Sequence, residues 1–344
     1  MISPGNMNLL ISMVNTTIRS LWQEVPIFYP KIMTTVPCST EFFVDAWIGR
    51  MPKMREWLGP RVAYEPARQT YTAQIQNFEG TYTIDRFELD DDKYGVVYAM
   101  LPDMAYNGKC WPEFTLRDWL EGIGSMGTSA RQLGLDGLSH WNTAHPINIY
   151  QTTAFASSAI GATYTNDSTG GGYTATVYTT GSGTTTKLIG GALTPSAVSS
   201  VVEYQMLLPD ESGELHGLVP DTIMVPALLK VEGEVVVKNV SFAPPTWGYN
   251  LTSQVGAADN PIKRFGLDLL VNPRLRSQTV WYSLVTNRSV KPFRWIERTP
   301  LVGPIPRTAE TDPVVFDNHR YTWGDWGRAT VAPAMPFLSH RSGP

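Results

Sequence analysis

"TYTAQIQNFEGTYTID", residues Thr70 to Asp85, alternates along its length but changes phase midway: Tyr71, Ala73 and Ile75 share one face of an extended chain, then Phe78, Tyr82 and Ile84 take the opposite phase. Side chains on a strand repeat with period two, so a slip of one residue exchanges the buried and solvent faces. The break near Asn77 is therefore a bulge or the join of two strands. This β excursion organises the reading of the chain on either side of it.

Downstream, "ELDDDKYGVVYAMLPDMAYNGKCWPEFTLRDWLEGI" places Asp90, Asp91 and Asp92 where carboxylates complement a helix N-terminus. Gly108 and Pro112 are expected to interrupt or re-cap a long helical region ending near Gly122. Upstream, Ser3 and Pro4 form an N-cap and first-turn pair, and Leu10, Val14, Ile18, Leu21 and Trp22 recur at helical spacing. Residues 4–23 thus read as an amphipathic helix in need of a partner surface. Pro26, Pro30 and Pro37 forbid a long helix over residues 24–48 and leave an extended arm that lies along something else.

Further on, Thr194 and Pro195 cap a helix whose apolar stripe is Val198, Val201, Val202 and Met206. "DTIMVPALLK" reads as a buried strand running into a helix at Pro226, and late strands fall at "GLDLLVNP", "TVWYSLV" and "KPFRWIE". Between Ile147 and Thr186 the only charged side chain is Asp167. There "YTATVYTT" alternates as a strand while "STGGG" and "GSG" punctuate turns, which predicts a β-hairpin-like insertion. The fold class is α+β, with a long arm, an extended β excursion and no internal repeats.

The 344 residues carry 27 Lys plus Arg against 31 Asp plus Glu, a formal charge of −4, so no global field draws the chain to nucleic acid or acidic membrane. Charged residues are only 17% of the total beside 11 Trp, 15 Tyr and 26 Pro. That is below the roughly 25% charged residues of ordinary domains, and it implies that much of the surface is contact surface. The N-terminal apolar run is broken by Asn8, Ser12 and Asn15 with no basic residue before it, which argues against a signal peptide or a membrane span. Cys38 and Cys110 stand apart with no C-x-x-C spacing, so neither zinc nor a disulfide framework is indicated.

Catalytic signatures fail on spacing. "GSGTTTK" lacks the glycine directly before lysine that a phosphate-cradling loop needs, and "GIGSMG" has Ile123 where a nucleophile elbow needs glycine. Asp136, His140 and His145 could serve a metal or an acid/base step, but a spacing of five puts the histidines on no common face of a helix or strand, so a turn is preferred. The run Asp90 to Asp92 lacks the rest of a calcium loop. No cofactor and no metal is expected. Two basic clusters remain: Arg50, Lys53, Arg55 and Arg61, and Arg288, Lys291, Arg294 and Arg298. In a chain of net negative charge these read as solvated faces or intersubunit salt bridges before nucleic-acid sites.

Several segments, taken in order, resemble one family, the major head (capsid) proteins of Mu-like tailed bacteriophages. They are "SPGNMNLL", "WIGRMPKMREWLGPR" from Trp47, "NFEGTYTIDRFELDDDKYGVV", "LDGLSHWNTAHP", "LTPSAVSSVVEYQ", "GLVPDTIMVPALL", "LLVNPRL", "SVKPFRWIERTP" and "VFDNHRYTWGDWGRATVAP". The stretches 147–191 and 232–263, and Gly108 within the central helix, depart from the family pattern.

The resemblance implies the tailed-phage major capsid fold: residues 1–40 an N-terminal arm, 41–84 a hairpin called the E-loop, 85–130 and 276–344 a P-domain with a spine helix and long strands, and 131–275 an A-domain carrying the 147–191 insertion. It implies a subunit that assembles with itself as hexamers and pentamers into an icosahedral head, in the host cytoplasm, around double-stranded DNA that it binds without sequence specificity. Scaffold, portal and decoration proteins would be further partners, and no membrane is implied. The expected assembly residues are Arg50, Lys53, Arg55, Trp57 and Arg61 on the E-loop, pairing with Asp90, Asp91 and Asp92 of an adjacent subunit. The alternatives are a non-viral nanocompartment shell of the same fold, an enzyme using His140, His145 and Asp136, and an adhesive β protein suggested by the Thr/Gly-rich stretch.

Overall fold

The computed structural model describes residues 4–48, 56–61, 68–87, 96–127, 131–146, 163–178, 184–209, 215–238, 241–242, 258–309 and 311–344. Six α-helices are described: α1 (Pro4–Glu24), α2 (Tyr29–Ile32), α3 (Val96–Glu121), α4 (Pro195–Met206), α5 (Lys230–Lys238) and α6 (Pro313–Asn318). The strands are β1 (Met33–Pro37), β2 (Phe42–Ile48), β3 (Arg68–Gln74), β4 (Gln76–Asp85), β5 (His145–Pro146), β6 (Thr163–Tyr164), β7 (Asp167–Ser168), β8 (Tyr173–Tyr178), β9 (Thr184–Ile189), β10 (Thr222–Val225), β11 (Ser241–Phe242), β12 (Ala258–Asp259), β13 (Asp268–Val271), β14 (Trp281–Leu284), β15 (Phe293–Arg307), β16 (Arg320–Pro333) and β17 (Ser339–Ser342).

The phase break in the opening stretch is the join of two strands. β3 pairs with β2 in a separate hairpin, and β4 pairs with β16 in a four-stranded sheet ordered β1-β15-β16-β4. Tyr71, Ala73 and Ile75 are buried, and from Gln76 the half-buried positions are the even ones, because the chain passes from one packing surface to another at Ile75. A second, five-stranded sheet has the order β13-β10-β14-β17-β7.

β15 and β16 form the longest ladder, and its register slips between Glu297 and Thr299, Thr299 and Val302, and Val302 and Ile305. Pro300 lies within the second slip and Pro304 within the third. A proline has no N–H to give the ladder, so these residues bulge out of register.

α3 is one uninterrupted 26-residue helix with Pro102 and Pro112 inside it, which corrects the expected break at Gly108 and Pro112. Each internal proline forgoes a hydrogen bond, a cost of about 3 kcal/mol in an isolated helix, and tertiary packing outweighs it here. Leu116, Trp119 and Leu120 sit in one apolar cluster with Phe293, Trp295, Ala329 and Val331 of the first sheet and Met224, Tyr282 and Leu284 of the second. Gly108 is where α1 and β15 crowd this helix: a Cβ there would meet Leu301 Cδ2 at 2.8 Å and the Trp22 ring at 3.4 Å. A larger residue would require the Leu301 side chain to move.

The arm finds the partner surface it needs within its own chain. Ile18 of α1 is buried with Met104, Ala105, Val315, Tyr321 and Trp323, and β1 runs parallel to β15 from Met33 beside Phe293 to Pro37 beside Glu297. The tryptophans divide: Trp119, Trp281, Trp295 and Trp323 are fully buried core residues, whereas Trp57 and Trp326 are exposed.

α4 begins as predicted: Thr194 Oγ1 accepts from Ala197 N at 3.2 Å, with Pro195 in the first turn. Val198, Val201 and Val202 are buried, but Met206 is exposed, and the stripe continues through Tyr204 instead. The strand Thr222–Val225 is fully buried, and its helix starts at Lys230 after a turn, four residues later than Pro226.

Candidate assembly surfaces

The β2–β3 hairpin has two unlike faces, set by strand alternation. Asp45 stands opposite Tyr71 and Phe43 opposite Ala73 on the inner face, while Phe42 opposite Gln74 and Val44 opposite Thr72 line the outer face. The inner face is anchored: Asp45 forms a largely buried ion pair with Arg294 of β15, and Ile75 N donates to Glu41 O at 3.0 Å. Burial pushes the Tyr71 hydroxyl up to about 12, with the Asp45 carboxylate adding to the shift and Arg294 opposing it. On the outer face Phe42 and Val44 stay 48% and 61% exposed, a costly arrangement for a strand left in water.

Beyond the strands, Trp57 is 70% exposed and Leu58 76% exposed. Trp57 Nε1 donates to Gly59 O at 2.6 Å, Gly59 turns the chain at φ 89°, and the Arg61 guanidinium stacks 5.1 Å from the Trp57 ring centroid. The expected assembly residues Trp57 and Arg61 are thus neighbours on one exposed turn. Arg50, Lys53 and Arg55, with Asp90, Asp91 and Asp92, lie outside the described residues.

The second basic cluster is used inside the chain. Lys291 Nζ donates to Pro30 O of the arm, Arg294 pairs with Asp45, and Arg288 Nη2 donates to Gly217 O at 2.7 Å and His216 O at 3.3 Å. This corrects the reading for Arg294, whose ion pair is largely buried, while Arg288 remains exposed; all three residues tie distant segments to the start of β15.

Where the arm crosses α3, Glu113 Oε1 accepts from Phe28 N at 2.6 Å and from Tyr29 N at 3.1 Å, and Glu113 Oε2 pairs with Arg274 Nη1. The Arg274 Nη2 donates to Tyr106 Oη and meets Cys110 Sγ, both at 2.8 Å, and its guanidinium lies over the rings of Phe28, Tyr106 and Phe114. Burial raises the Cys110 thiol above its ordinary value, partly offset by Arg274.

Asp136, His140 and His145 do come together, and they are buried in the interior. His145 Nδ1 lies 2.5 Å from Asp136 Oδ2, its Nε2 lies 2.9 Å from His140 O and 3.1 Å from Asn166 Oδ1, and its ring stacks on Tyr164. Asn166 Nδ2 donates to His140 O at 2.6 Å and to Pro336 O at 3.2 Å, so the cluster joins the chain before β5 to the start of the last 3-10 turn. His140 contacts Ser339 Oγ at 2.9 Å among Trp119, Trp141 and Phe293. Burial holds its imidazole well below the usual range, with His145 and Arg341 adding to the shift. The arrangement cross-links loops; all three side chains are enclosed. Among the described residues no group of three or more His, Cys, Asp and Glu is placed to hold a metal, and no helix is long and apolar enough to cross a membrane.

The hairpin expected within 147–191 is β8 paired antiparallel with β9, from Tyr173 beside Ile189 to Tyr178 beside Thr184. Its root is tight: Gly190, at φ 77°, approaches Ser168 and Ser342 so closely that a Cβ would lie 2.0 Å from Ser168 Oγ. Ser168 Oγ in turn meets His340 Nε2 at 2.8 Å. Sequence reasoning missed Phe42 and Val44, Asp45 with Arg294, and Glu113 with Arg274. Alternation in "EFFVDAWI" could have found the first pair; no local signal identifies the others.

A long β15–β16 hairpin crossed by a 26-residue helix, a second mixed sheet, and the separate β2–β3 hairpin define the class: the fold is that of the tailed-phage capsid proteins. The procapsid subunit of bacteriophage JBD30 superimposes with a TM-score of 0.51 over 100% of this chain and 76% of its own, at 19% identity. The structure from Microbacterium phage Oxtober96 gives 0.52 over 91% and 89%, at 9% identity.

Within that class the chain is similar to the Mu-like major head subunits over part of its length. The family model described as Mu-like prophage major head subunit gpT matches residues 7–175. The chain is 23% identical over 146 residues to the major capsid protein of Escherichia phage Mu, covering 42% of this chain. It is 26% identical over 150 residues to the Mu-like prophage FluMu major head subunit of Haemophilus influenzae, covering 43%. The chain spans about half the length of these relatives, 46% and 45% respectively.

Proposed function

We propose that this chain is the major capsid protein of a Mu-like phage and assembles as hexamers and pentamers into an icosahedral head enclosing double-stranded DNA. The observation that carries the reading is a β2–β3 hairpin that is anchored on one face and bares Phe42 and Val44 on the other. A second copy of the chain is the natural cover for such a face, since burying apolar surface yields about 25 cal/mol per Å² before the entropy of association is subtracted. Many moderate contacts of this kind sum to a durable shell because each subunit is held by several neighbours.

In this reading α1 to β1 form the arm, β2 and β3 the E-loop, α3 with β4, β15 and β16 the P-domain, and the five-stranded sheet with α4 and α5 the A-domain. Trp57 and Arg61 on the exposed turn, with Arg50, Lys53 and Arg55, would face Asp90, Asp91 and Asp92 of an adjacent subunit. The net charge of −4 suits a container that DNA enters and leaves. Chemistry is not part of the function, scaffold, portal and decoration proteins are the further partners, and the particle is built in the host cytoplasm.

Electron microscopy of the purified chain tests the reading. Closed shells are expected, with nuclease-protected DNA in particles from infected cells; a monodisperse small oligomer at high protein concentration would sink it. Arg55→Glu is expected to weaken assembly most at low salt, and unchanged assembly there would remove the proposed pairing of Arg55 with the acidic run.

A further inference from the structure

The arm residues Phe28 and Tyr29 run past α3 at a point where an acidic side chain faces their N–H groups. Glu113 lies inside α3, is fully buried, and spends one carboxylate oxygen on both amides, at 2.6 and 3.1 Å. Those amides stand at the cap and first position of α2, where a helix has donors without internal partners. Phe28 itself has no capping side chain, so Glu113, 84 and 85 residues away, does what a local Ser or Asp does elsewhere. Immediately after α2 the chain enters β1, whose register on β15 begins at Met33 beside Phe293. Glu113 therefore holds the chain just before it enters β1, beside the core contacts of Ile32 and Met33.

Glu113 does not point freely. Its other oxygen is paired with Arg274, which follows β13 of the five-stranded sheet, and the Arg274 guanidinium is held by Tyr106, Cys110 and three aromatic rings, one of them Phe28. A buried carboxylate stays ordered only while its countercharge and hydrogen bonds are in place. Two other ties to this part of the arm, Lys31 with Asp268 and Lys291 with Pro30 O, involve more exposed side chains and carry less free energy.

We propose that Glu113 and Arg274 form a latch that sets the course of the N-terminal arm: Glu113 caps α2 and so aligns β1 on β15, and Arg274 makes that cap conditional on the folded segment after β13. The arm is then presented in its working direction only by a subunit whose second sheet is in place. As a statement about assembly this rests on the shell reading above; as a statement about the arm it does not. Both are positioning residues.

The test is amide hydrogen exchange on the full chain, comparing residues 28–37 with β16, in two double variants. Glu113→Ala with Arg274→Met removes cap and countercharge together and leaves no buried lone ion. Amides of residues 28–37 are expected to exchange at least tenfold faster in it while β16 amides keep their rates. Glu113→Gln with Arg274→Met keeps an oxygen for the Phe28 and Tyr29 amides and is expected to restore most of the protection. Wild-type protection of residues 28–37 in the first variant, or equal loss of protection in arm and β16, or failure of the glutamine variant to restore the arm while β16 stays protected, would overturn the latch. Electron microscopy of the same preparations reads assembly separately. If the unsubstituted chain forms no closed shells, the shell reading fails while the exchange result still decides the latch; if it does, the alanine variant is expected to give broken or irregular particles.

Discussion

The two hairpins that leave the body, β2–β3 and β8–β9, share a topology and differ in almost everything that decides what they meet. β2–β3 shows water Phe42 and Val44, and a buried charge pair, Asp45 with Arg294, holds its root. In β8–β9 the strand sequences are "YTATVY" and "TTTKLI", rich in hydroxyl groups, and the root is held by close backbone approach at Gly190 and by the Ser168–His340 contact. An exposed Phe and Val gain by being covered. Since Leu188 of β9 is exposed as well, the contrast lies in how each root is held: by a buried charge pair in β2–β3 and by close backbone approach in β8–β9.

The largest expected break in that contrast comes from Phe42→Lys with Val44→Lys. Closed particles should be lost altogether, with a melting midpoint within a few degrees of wild type, because the change falls on a face the folded subunit leaves exposed; sedimentation velocity and electron microscopy check it.

Acid should loosen the root of β8–β9. Burial lowers the His340 imidazole to about 4, so the folded chain holds it neutral where the unfolded chain protonates it at about 6.5. The stability it contributes is present above pH 6.5 and is lost as pH falls toward 4, about 3 kcal/mol in total. Urea unfolding at pH 7, 5.5 and 4.5 should show the loss, and His340→Asn should flatten it. Asp325 runs the other way: burial pushes its carboxyl up to about 6, so its contribution favours the folded state at low pH and fades as pH rises from about 4 through 6.

Arg294→Met should free the β2–β3 root by leaving Asp45 without its countercharge. The pair is largely but not wholly buried, at 12% and 16% exposure, so a loss of about 2–3 kcal/mol is expected, near the lower end for buried pairs. Hydrogen exchange should rise first in β2 and β3. The smallest effect belongs to Lys187→Met, which removes the half-exposed pair with Glu203 at the edge of β9; a change of no more than about 0.5 kcal/mol is expected in the same unfolding assay.

Much of this was legible in the sequence because it is local. The alternation of Thr70–Asp85 predicted both strands and the break between them, Thr194 and Pro195 predicted the start of α4, and the order of the quoted segments predicted the capsid fold. Reading Gly108 and Pro112 as helix breakers failed because propensity is a local quantity. α3 is held as one continuous helix by Trp119, Leu116 and Leu120 packing between two sheets, and Gly108 lies where Trp22 and Leu301 approach it. Reading Arg294 as surface charge failed because its partner is Asp45, remote in sequence. Asp136, His140 and His145 were brought together as their residue types allow, but enclosure decides what they do, and enclosure is a property of the packed chain.

By itself, then, the sequence determined the periods, caps and turns of this protein, since these depend on neighbours within a few residues. Only the tertiary structure decided that Glu113 caps a helix begun 84 residues earlier, that Arg274 holds it there, and which face of the β2–β3 hairpin is left bare. Those outcomes depend on which surfaces meet, and a side chain's partner across such distances is chosen by the packing of whole layers, to which no local pattern is tied.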